Sequence, residues 1–271
     1  MLSRPDAALV KRDPAIPGLP LLLDSDRLVA KLRAHLPGAA AITGATIDYL
    51  RYKPGTNCLA AYRLDIDGVT LSAHAIAYRP DLRDKLNKAR QRVPLVSMLG
   101  PGGVVLDGHA ASVALFPNDG RLKSLRRLGN SNDRNRLLRK LMPDRPEFWD
   151  GALHLLRYKP RRRYVAKLST EDGTQATLKL YTKHDYPAAR TNADALTAWR
   201  GLNVARSLGH SARHRLLAFE WLAGRPLSET FVGAQPDDAA VLARVGATLA
   251  VLHAQHPAGL SRLRRDTETK W

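Results

Sequence analysis

The feature that most constrains the fold of this chain is an internal repeat. The pentapeptide Leu-Arg-Tyr-Lys-Pro occurs at residues 50–54 and again at residues 156–160. Similar segments follow in the same order after each copy, as far as a Gly-Arg pair that begins at Gly120 in the first copy and at Gly224 in the second. The spacing between the copies narrows only from 106 to 104 residues. An ordered series of matches at a nearly constant spacing indicates one structural unit used twice.

Each copy has the same pattern of predicted elements. Two apolar strands flank a turn that contains proline, and an Asp-Gly dipeptide at 67–68 or 172–173 indicates a hairpin to a third strand. A helical stretch follows at 81–93 or 188–202, and strands close the copy. The pattern predicts an α+β fold of two tandem modules, each an antiparallel sheet with one helix packed on it.

Further helices are predicted around the two modules. Residues 26–36 form one, with Asp24 or Ser25 as the N-cap, and residues 131–142 join the copies. Residues 236–256 carry apolar side chains at helical spacing. We therefore divide the chain into a first module at 1–145, a second module at 146–235 and a helical segment at 236–271.

The charge of the chain predicts an anionic partner. There are 43 basic and 25 acidic residues, which gives a formal net charge of +18. Such an excess attracts nucleotides, nucleic acids, acidic lipids or acidic proteins. The single cysteine, Cys58, excludes an intramolecular disulfide and a cysteine zinc cluster, and we expect a reducing, cytoplasmic location. No apolar run is long enough to span a bilayer, so no membrane partner is expected.

Three segments of the second copy resemble a known family. They are TLKLY at 177–181, LLAFEWLAGRPLSE at 216–229 and VGATLAVLHA at 245–254. In this order they resemble the aminoglycoside phosphotransferase and choline kinase-like branch of the protein-kinase superfamily, over Leu153 to about Leu260. The resemblance implies two kinase N-lobe-like modules, the second followed by the start of a helical C-lobe. It also implies ATP or GTP with Mg²⁺ as cofactor and a small hydroxylated substrate.

The resemblance assigns roles to residues of the second copy. Lys179 matches the strand lysine that contacts nucleotide phosphates, and Asn192 occupies the place of the helix glutamate that pairs with it. The backbone of the interlobe hinge would bind the base, at Glu220, Trp221 and Leu222. The turn that covers the phosphates would be basic, at Arg161, Arg162 and Arg163. In the first copy His74 stands at the lysine position, so that copy resembles a degenerate N-lobe, from which we expect a structural or docking role.

The family's catalytic loop is missing from the sequence. That loop is a His-Gly-Asp type stretch, and none of the nine histidines here begins a His-x-Asp. Asp266 lacks the surrounding motif. We therefore name no catalytic or metal-binding residue and expect a truncated, nucleotide-binding member of the family that does not catalyse transfer. An incomplete C-lobe would leave the helix at 236–256 exposed, which predicts self-association.

An alternative function remains open, a basic nucleic-acid- or anion-binding protein without catalysis. Its candidate surface is basic: Arg121, Lys123, Arg126, Arg127, Arg134, Arg136, Arg139, Lys140, Arg157, Lys159, Arg161, Arg162 and Arg163. Sequence-independent binding through such residues would be sensitive to salt. Aromatic residues make up only 6% of the chain, and no stacking motif accompanies the basic ones, which disfavours nucleic acid.

Overall fold

The structure is a computed structural model. It describes residues 2–91, 95–196, 198–199, 201–224, 227, 238–255 and 260. The chain forms two compact units. The first comprises Met1–Gly129 with Lys159–Arg161, and the second comprises Asn130–Tyr158 with Arg162–Trp271.

The first unit is a five-stranded antiparallel sheet with helices on both faces. Its elements are α1 (Arg4–Arg12), α2 (Leu19–Leu23), α3 (Ser25–His35), β1 (Ile42–Lys53), β2 (Asn57–Ile66), β3 (Val69–Tyr78), α4 (Arg83–Arg90), β4 (Gly103–Leu106), β5 (Ala111–Leu115) and α5 (Leu125–Leu128). The strands lie in the order β1-β2-β3-β5-β4.

Helices α2 and α3 cover one face of this sheet. Leu22 and Leu28 are fully buried in one cluster with Tyr62 of β2, whose hydroxyl donates a 2.5 Å hydrogen bond to the carbonyl of Leu22. Helix α3 begins as predicted, because the carboxylate of Asp24 accepts a hydrogen bond from the backbone N–H of Arg27. The other face packs against α4 through a smaller apolar cluster.

The second unit has a sheet of the same topology. Its elements are α6 (Ser131–Leu141), β6 (Ala152–Lys159), β7 (Arg163–Ser169), β8 (Gln175–Tyr181), α7 (Tyr186–Ala193), β9 (Ser207–Ser211), β10 (Leu216–Glu220) and α8 (Asp238–Ala254). The strands lie in the order β6-β7-β8-β10-β9. Helix α6 contacts β9 and β10. Along the chain, α7 comes after the third strand and before the fourth, as α4 does in the first unit.

The predicted α+β fold with two antiparallel sheet modules is confirmed. Pro54 and Pro160 both lie in the turn between the first and second strands of their sheets. His74 pairs with Ala114 on β5. Lys179 pairs with Leu217 on β10, so the histidine and the lysine occupy the same place in the two sheets.

The two Asp-Gly hairpins differ in their turns. In the first unit Ile66 pairs with Val69, and both residues of the Asp67-Gly68 turn have positive φ angles, 46° and 81°. This is the two-residue turn that Asp-Gly favours. In the second unit the loop is longer and runs from Thr170 to Thr174, closed by a hydrogen bond between the backbone groups of these two residues.

The helix of the second unit is shorter than the predicted stretch 188–202. It ends at Ala193, and Trp199 then forms an isolated bridge with Leu202. Asn192 and Asp194 have low helix propensity, which favours an end to the helix at this point. Asp194 also forms an ion pair with Arg190 at 2.5 Å.

The last described helix, α8, has exposed apolar side chains. Leu242 is 55% exposed and Leu249 is 46% exposed. The predicted start of this helix at residues 236–237, its predicted end at residue 256 and Asp266 lie outside the described residues. Of the helices in the described part of the chain, none combines the length and apolarity required to cross a membrane.

Candidate functional site

Lys179 lies on the face of the second sheet that packs against α7. Strand β8 alternates, with Leu178 and Leu180 fully buried on one face and Lys179 half-buried on the other. On the side of Lys179, a cluster of Tyr186, Leu217 and Phe219 joins α7 to the sheet. The lysine ammonium is therefore held against an apolar wall by regular secondary structure.

The environment of Lys179 disfavours its positive charge. Burial lowers the pKa of the ammonium, and the positive charge of Arg163 lowers it further. The face of the Phe219 ring, 4.5 Å from Nζ to the ring centroid, compensates in part. Among the described residues, no carboxylate forms an ion pair with Lys179 or Arg163. Two neighbouring cations without an acidic partner favour the binding of an anion.

The three arginines of the predicted phosphate-covering turn have different neighbours. Arg163 lies beside Lys179. Arg162 lies close enough to Asp185 for its charge to help lower the pKa of that carboxyl, against the opposing effect of burial. Arg161 belongs to the first unit, where its backbone N–H donates to Asp119 at 2.6 Å. The structure thus brings only one of the three to Lys179.

The predicted hinge begins at Glu220, the last residue of β10, and the side chains of Glu220 and Trp221 already have partners. Arg206 binds the carboxylate of Glu220 through Nε and Nη2, and this hydrogen bonding lowers the pKa of Glu220. The backbone N–H of Glu220 donates to the carbonyl of Arg206 at 3.0 Å. The ring of Trp221 lies 4.9 Å from the Lys167 ammonium, and Leu222 is exposed.

Asn192, the predicted partner of Lys179, lies in the last turn of α7. Its backbone carbonyl accepts a 3.4 Å hydrogen bond from Ala195. The assignment of Asn192 to the lysine remains a prediction, as do the roles assigned to the hinge.

In the first unit His74 faces a carboxylate. His74 and Asp119 are both almost fully buried, at 5% and 3% exposure. Burial tends to raise the pKa of Asp119, but the positive charge of His74 and the backbone N–H groups of Arg161, Arg121 and Leu122 hold it below its ordinary value. The position that carries a lysine without a carboxylate partner in the second unit therefore carries a histidine that faces a buried carboxylate in the first.

A cleft of about 930 Å³ opens beside this pair. Small residues create it: Gly103 and Ala114 pair across the sheet, and Ala114 also pairs with His74. At the equivalent places the second unit has His210 and Leu217, and Leu217 fills the space against α7. Sequence reasoning missed this site. When the two copies are aligned at these strands, Ala114 of the first copy matches Leu217 of the second. This difference in side-chain size is the sequence signal for the cleft.

The basic residues considered for nucleic-acid binding are divided between the units. Arg121, Lys123, Arg126 and Arg127 belong to the first unit, while Arg134, Arg136, Arg139 and Lys140 belong to the second. Some have local partners. Arg139 lies over the Trp149 ring at 5.4 Å, and Arg136 is 3.9 Å from Asp133.

Comparison of the chain with known protein families and with curated proteins finds no match. Within the described residues, no three His, Cys, Asp or Glu side chains are grouped so that they could hold a metal ion.

Proposed function

We propose that the second unit binds a nucleotide, ATP or GTP with Mg²⁺, and that Lys179 contacts its phosphates. The observation that carries this proposal is the half-buried Lys179 ammonium beside Arg163, with no ion pair to a carboxylate for either residue in the described part of the chain. A phosphate provides the missing negative charge and accepts charge-assisted hydrogen bonds from both side chains. Mg²⁺ would arrive with the nucleotide, because it binds readily to phosphate oxygens.

The position of Lys179 suits this role. The lysine is on the third strand of an antiparallel sheet, and a helix follows that strand. A strand fixes the direction of the side chain, so the ammonium acts as a localised charge directed at the phosphate oxygens. The segment proposed as the hinge, Glu220 to Leu222, begins at the last residue of the fifth strand, β10, which is paired with the strand of the lysine. These placements support the proposed likeness to a kinase N-lobe.

The wider proposal is membership of the aminoglycoside phosphotransferase-like kinases. In that family the reaction is nucleotide-dependent phosphorylation of a small-molecule hydroxyl, and this chain would supply nucleotide binding. A cytoplasmic location is part of the proposal. Its support is the single cysteine, Cys58, which is buried in the first sheet with its pKa raised to about 12 by burial.

A fluorescence titration tests the nucleotide site. All four tryptophans, Trp149, Trp199, Trp221 and Trp271, belong to the second unit, so the tryptophan signal reports on that unit. We expect Lys179→Ala to weaken ATP–Mg²⁺ binding by about 5- to 150-fold, which corresponds to loss of one hydrogen bond to a charged group at ~1–3 kcal/mol. Lys183→Ala removes an exposed lysine two residues beyond the strand and should leave affinity unchanged. Equal effects of the two substitutions, or no binding at millimolar nucleotide, would refute the assignment.

Comparison of oligonucleotide and ATP binding to the same protein distinguishes the nucleotide-binding proposal from the nucleic-acid alternative. If a single-stranded oligonucleotide binds far more tightly than ATP, with an affinity that falls steeply with salt and is indifferent to Lys179→Ala, the basic surface is the functional one. We expect ATP to bind more tightly than the oligonucleotide, and we expect Lys179→Ala to weaken ATP binding.

A further inference from the structure

The cleft of the first unit lies between α4 and the sheet, and the proposed nucleotide site makes no use of it. Ligand sites in proteins have volumes of ~300–1,000 Å³, and this cleft of about 930 Å³ is within that range. Its lining comprises three zones, a fixed polar floor, an apolar wall and a basic rim.

The floor is held in place by hydrogen bonds to the backbone. The side-chain amide of Asn118 pairs with Leu95, accepting from its N–H at 2.8 Å and donating to its carbonyl at 3.0 Å. Gly102 permits this packing, because a Cβ there would come within 2.1 Å of Nδ2 of Asn118. Next in the chain, one carboxylate oxygen of Asp119 accepts from the N–H groups of Arg121 and Leu122. A floor fixed in this way is preorganised for a ligand.

The wall and the rim differ in polarity. Ile76 and Val105 line the cleft and pack together in the apolar cluster below α4. Three lysines stand around the opening, Lys85 and Lys88 on α4 and Lys123 after β5, and all three are exposed. None of these lysines forms an ion pair within the described part of the chain. Six lysine and arginine side chains line the cleft, against a single carboxylate, that of Asp119, which faces His74.

We propose that this cleft is a second binding site, for a phosphorylated small molecule with an apolar or aromatic body. The body would rest on Ile76 and Val105, and the phosphate would be bound by Lys85, Lys88 and Lys123 at the rim. A cation excess in a concave site raises the local concentration of anions and strengthens their binding. At the position of the strand lysine the first unit has His74 facing Asp119, and its lysines lie around the opening of the cleft. This inference depends on neither Lys179 nor the family resemblance.

Hydrogen–deuterium exchange with three probes tests the inference. ADP has an aromatic body and phosphates, pyrophosphate has the phosphates alone, and adenosine has the body without them. We expect ADP to protect the amides of 85–90 and 112–126 at lower concentration than either of the other two. The peptides at 163–181 report separately on the proposed nucleotide site, so Lys179→Ala should alter protection there and leave the first unit unchanged.

Two kinds of variant identify the zones of the cleft. Ala114→Leu introduces the residue that fills the equivalent space in the second unit, and Ala114→Ser is its matched control. The double variant Lys85→Glu with Lys88→Glu reverses the charge of two lysines at the rim. The control double variant, Lys11→Glu with Lys31→Glu, makes the same charge change on exposed lysines of α1 and α3.

We expect both cleft variants to raise the half-protecting ADP concentration at least tenfold, while both controls leave it within about twofold. Lys85 and Lys88 are on the surface, so their replacement should not prevent folding. This double variant therefore still tests the proposal if Ala114→Leu fails to fold. No protection of the first unit at millimolar ADP, or equal losses in the rim and control pairs, would overturn the proposal.

Discussion

Replacement of Asp119 should destabilise the first unit more than any surface substitution. Asp119 is only 3% exposed, and its carboxylate accepts three backbone hydrogen bonds, from Arg121 at 2.8 Å, Leu122 at 3.1 Å and Arg161 at 2.6 Å. It also faces the charge of His74. Asp119→Ala leaves buried donors and a buried imidazole without this acceptor, and breaking a buried charged pair costs ~3–5 kcal/mol. Asp119→Asn retains one acceptor oxygen, so its cost should be smaller, at ~1–3 kcal/mol.

Native-state hydrogen exchange measures the effect within the first unit. Protection factors of β3 and β5 should fall by roughly 150- to 5,000-fold in Asp119→Ala, the equivalent of ~3–5 kcal/mol. Asp81→Ala removes an exposed carboxylate that pairs with Arg79, and protection should scarcely change. If Asp119→Ala costs no more than Asp81→Ala, the hydrogen bonds of Asp119 do not fix the floor of the cleft and the reasoning is refuted.

The pH dependence of stability provides a second measurement on Asp119. Its pKa is lower in the folded state than the ~3.9 of an unfolded aspartate, so ionised Asp119 stabilises the fold above about pH 4. That contribution disappears as the pH falls through the folded-state pKa. Asp119→Ala should therefore flatten the loss of stability in acid. Some dependence should remain, because the pKa values of Asp13 and Asp24 are also lowered, against the effect of burial, by hydrogen bonds. An unchanged acid profile would show that Asp119 is not ionised in the folded state.

Two further predictions concern packing. Gly102→Ala should destabilise the first unit by ~1–3 kcal/mol in chemical denaturation, because a Cβ would meet the carbonyl oxygen of Leu95 at 2.0 Å, whereas Gly108→Ala, with no atom within 4 Å of its Cβ, should have little effect. Equal effects would argue against close packing at Gly102. The exposed Leu242 and Leu249 of α8 should promote self-association, so the double change to Glu should reduce concentration-dependent sedimentation. An unchanged sedimentation profile would exclude this helix as the contact.

The sheets were predictable because their signals are local and repeated. Alternation along β8 places Leu178 and Leu180 on the buried face, and the Asp67-Gly68 dipeptide fixes a hairpin whatever surrounds it. The segment LPLLL at 19–23 forms a helix that the sequence pattern does not predict. Its structure as a buried helix depends on the sheet that it covers, which no short sequence window contains.

The sites were less predictable than the sheets. Lys179 can be proposed from the sequence because a strand lysine in an ordered series of elements has a local signature, and its role stays a prediction. The role of Asp119 depends on tertiary contacts with His74 and with the turn at Arg161, residues far from it in sequence. The cleft depends on small residues at Gly103 and Ala114, whose effect appears only when two strands and a helix are assembled.

The most direct measurement of the Lys179 proposal is the pKa of its ammonium, followed by NMR of isotopically labelled lysine and assigned with the Lys179→Arg variant. Without nucleotide, burial and Arg163 should hold this pKa below the ordinary lysine value of 10.5. Saturating ATP with Mg²⁺ should raise it, because a phosphate stabilises the charged form. An unshifted pKa in the free protein, or no response of Lys179 to millimolar ATP, would contradict nucleotide binding at this site.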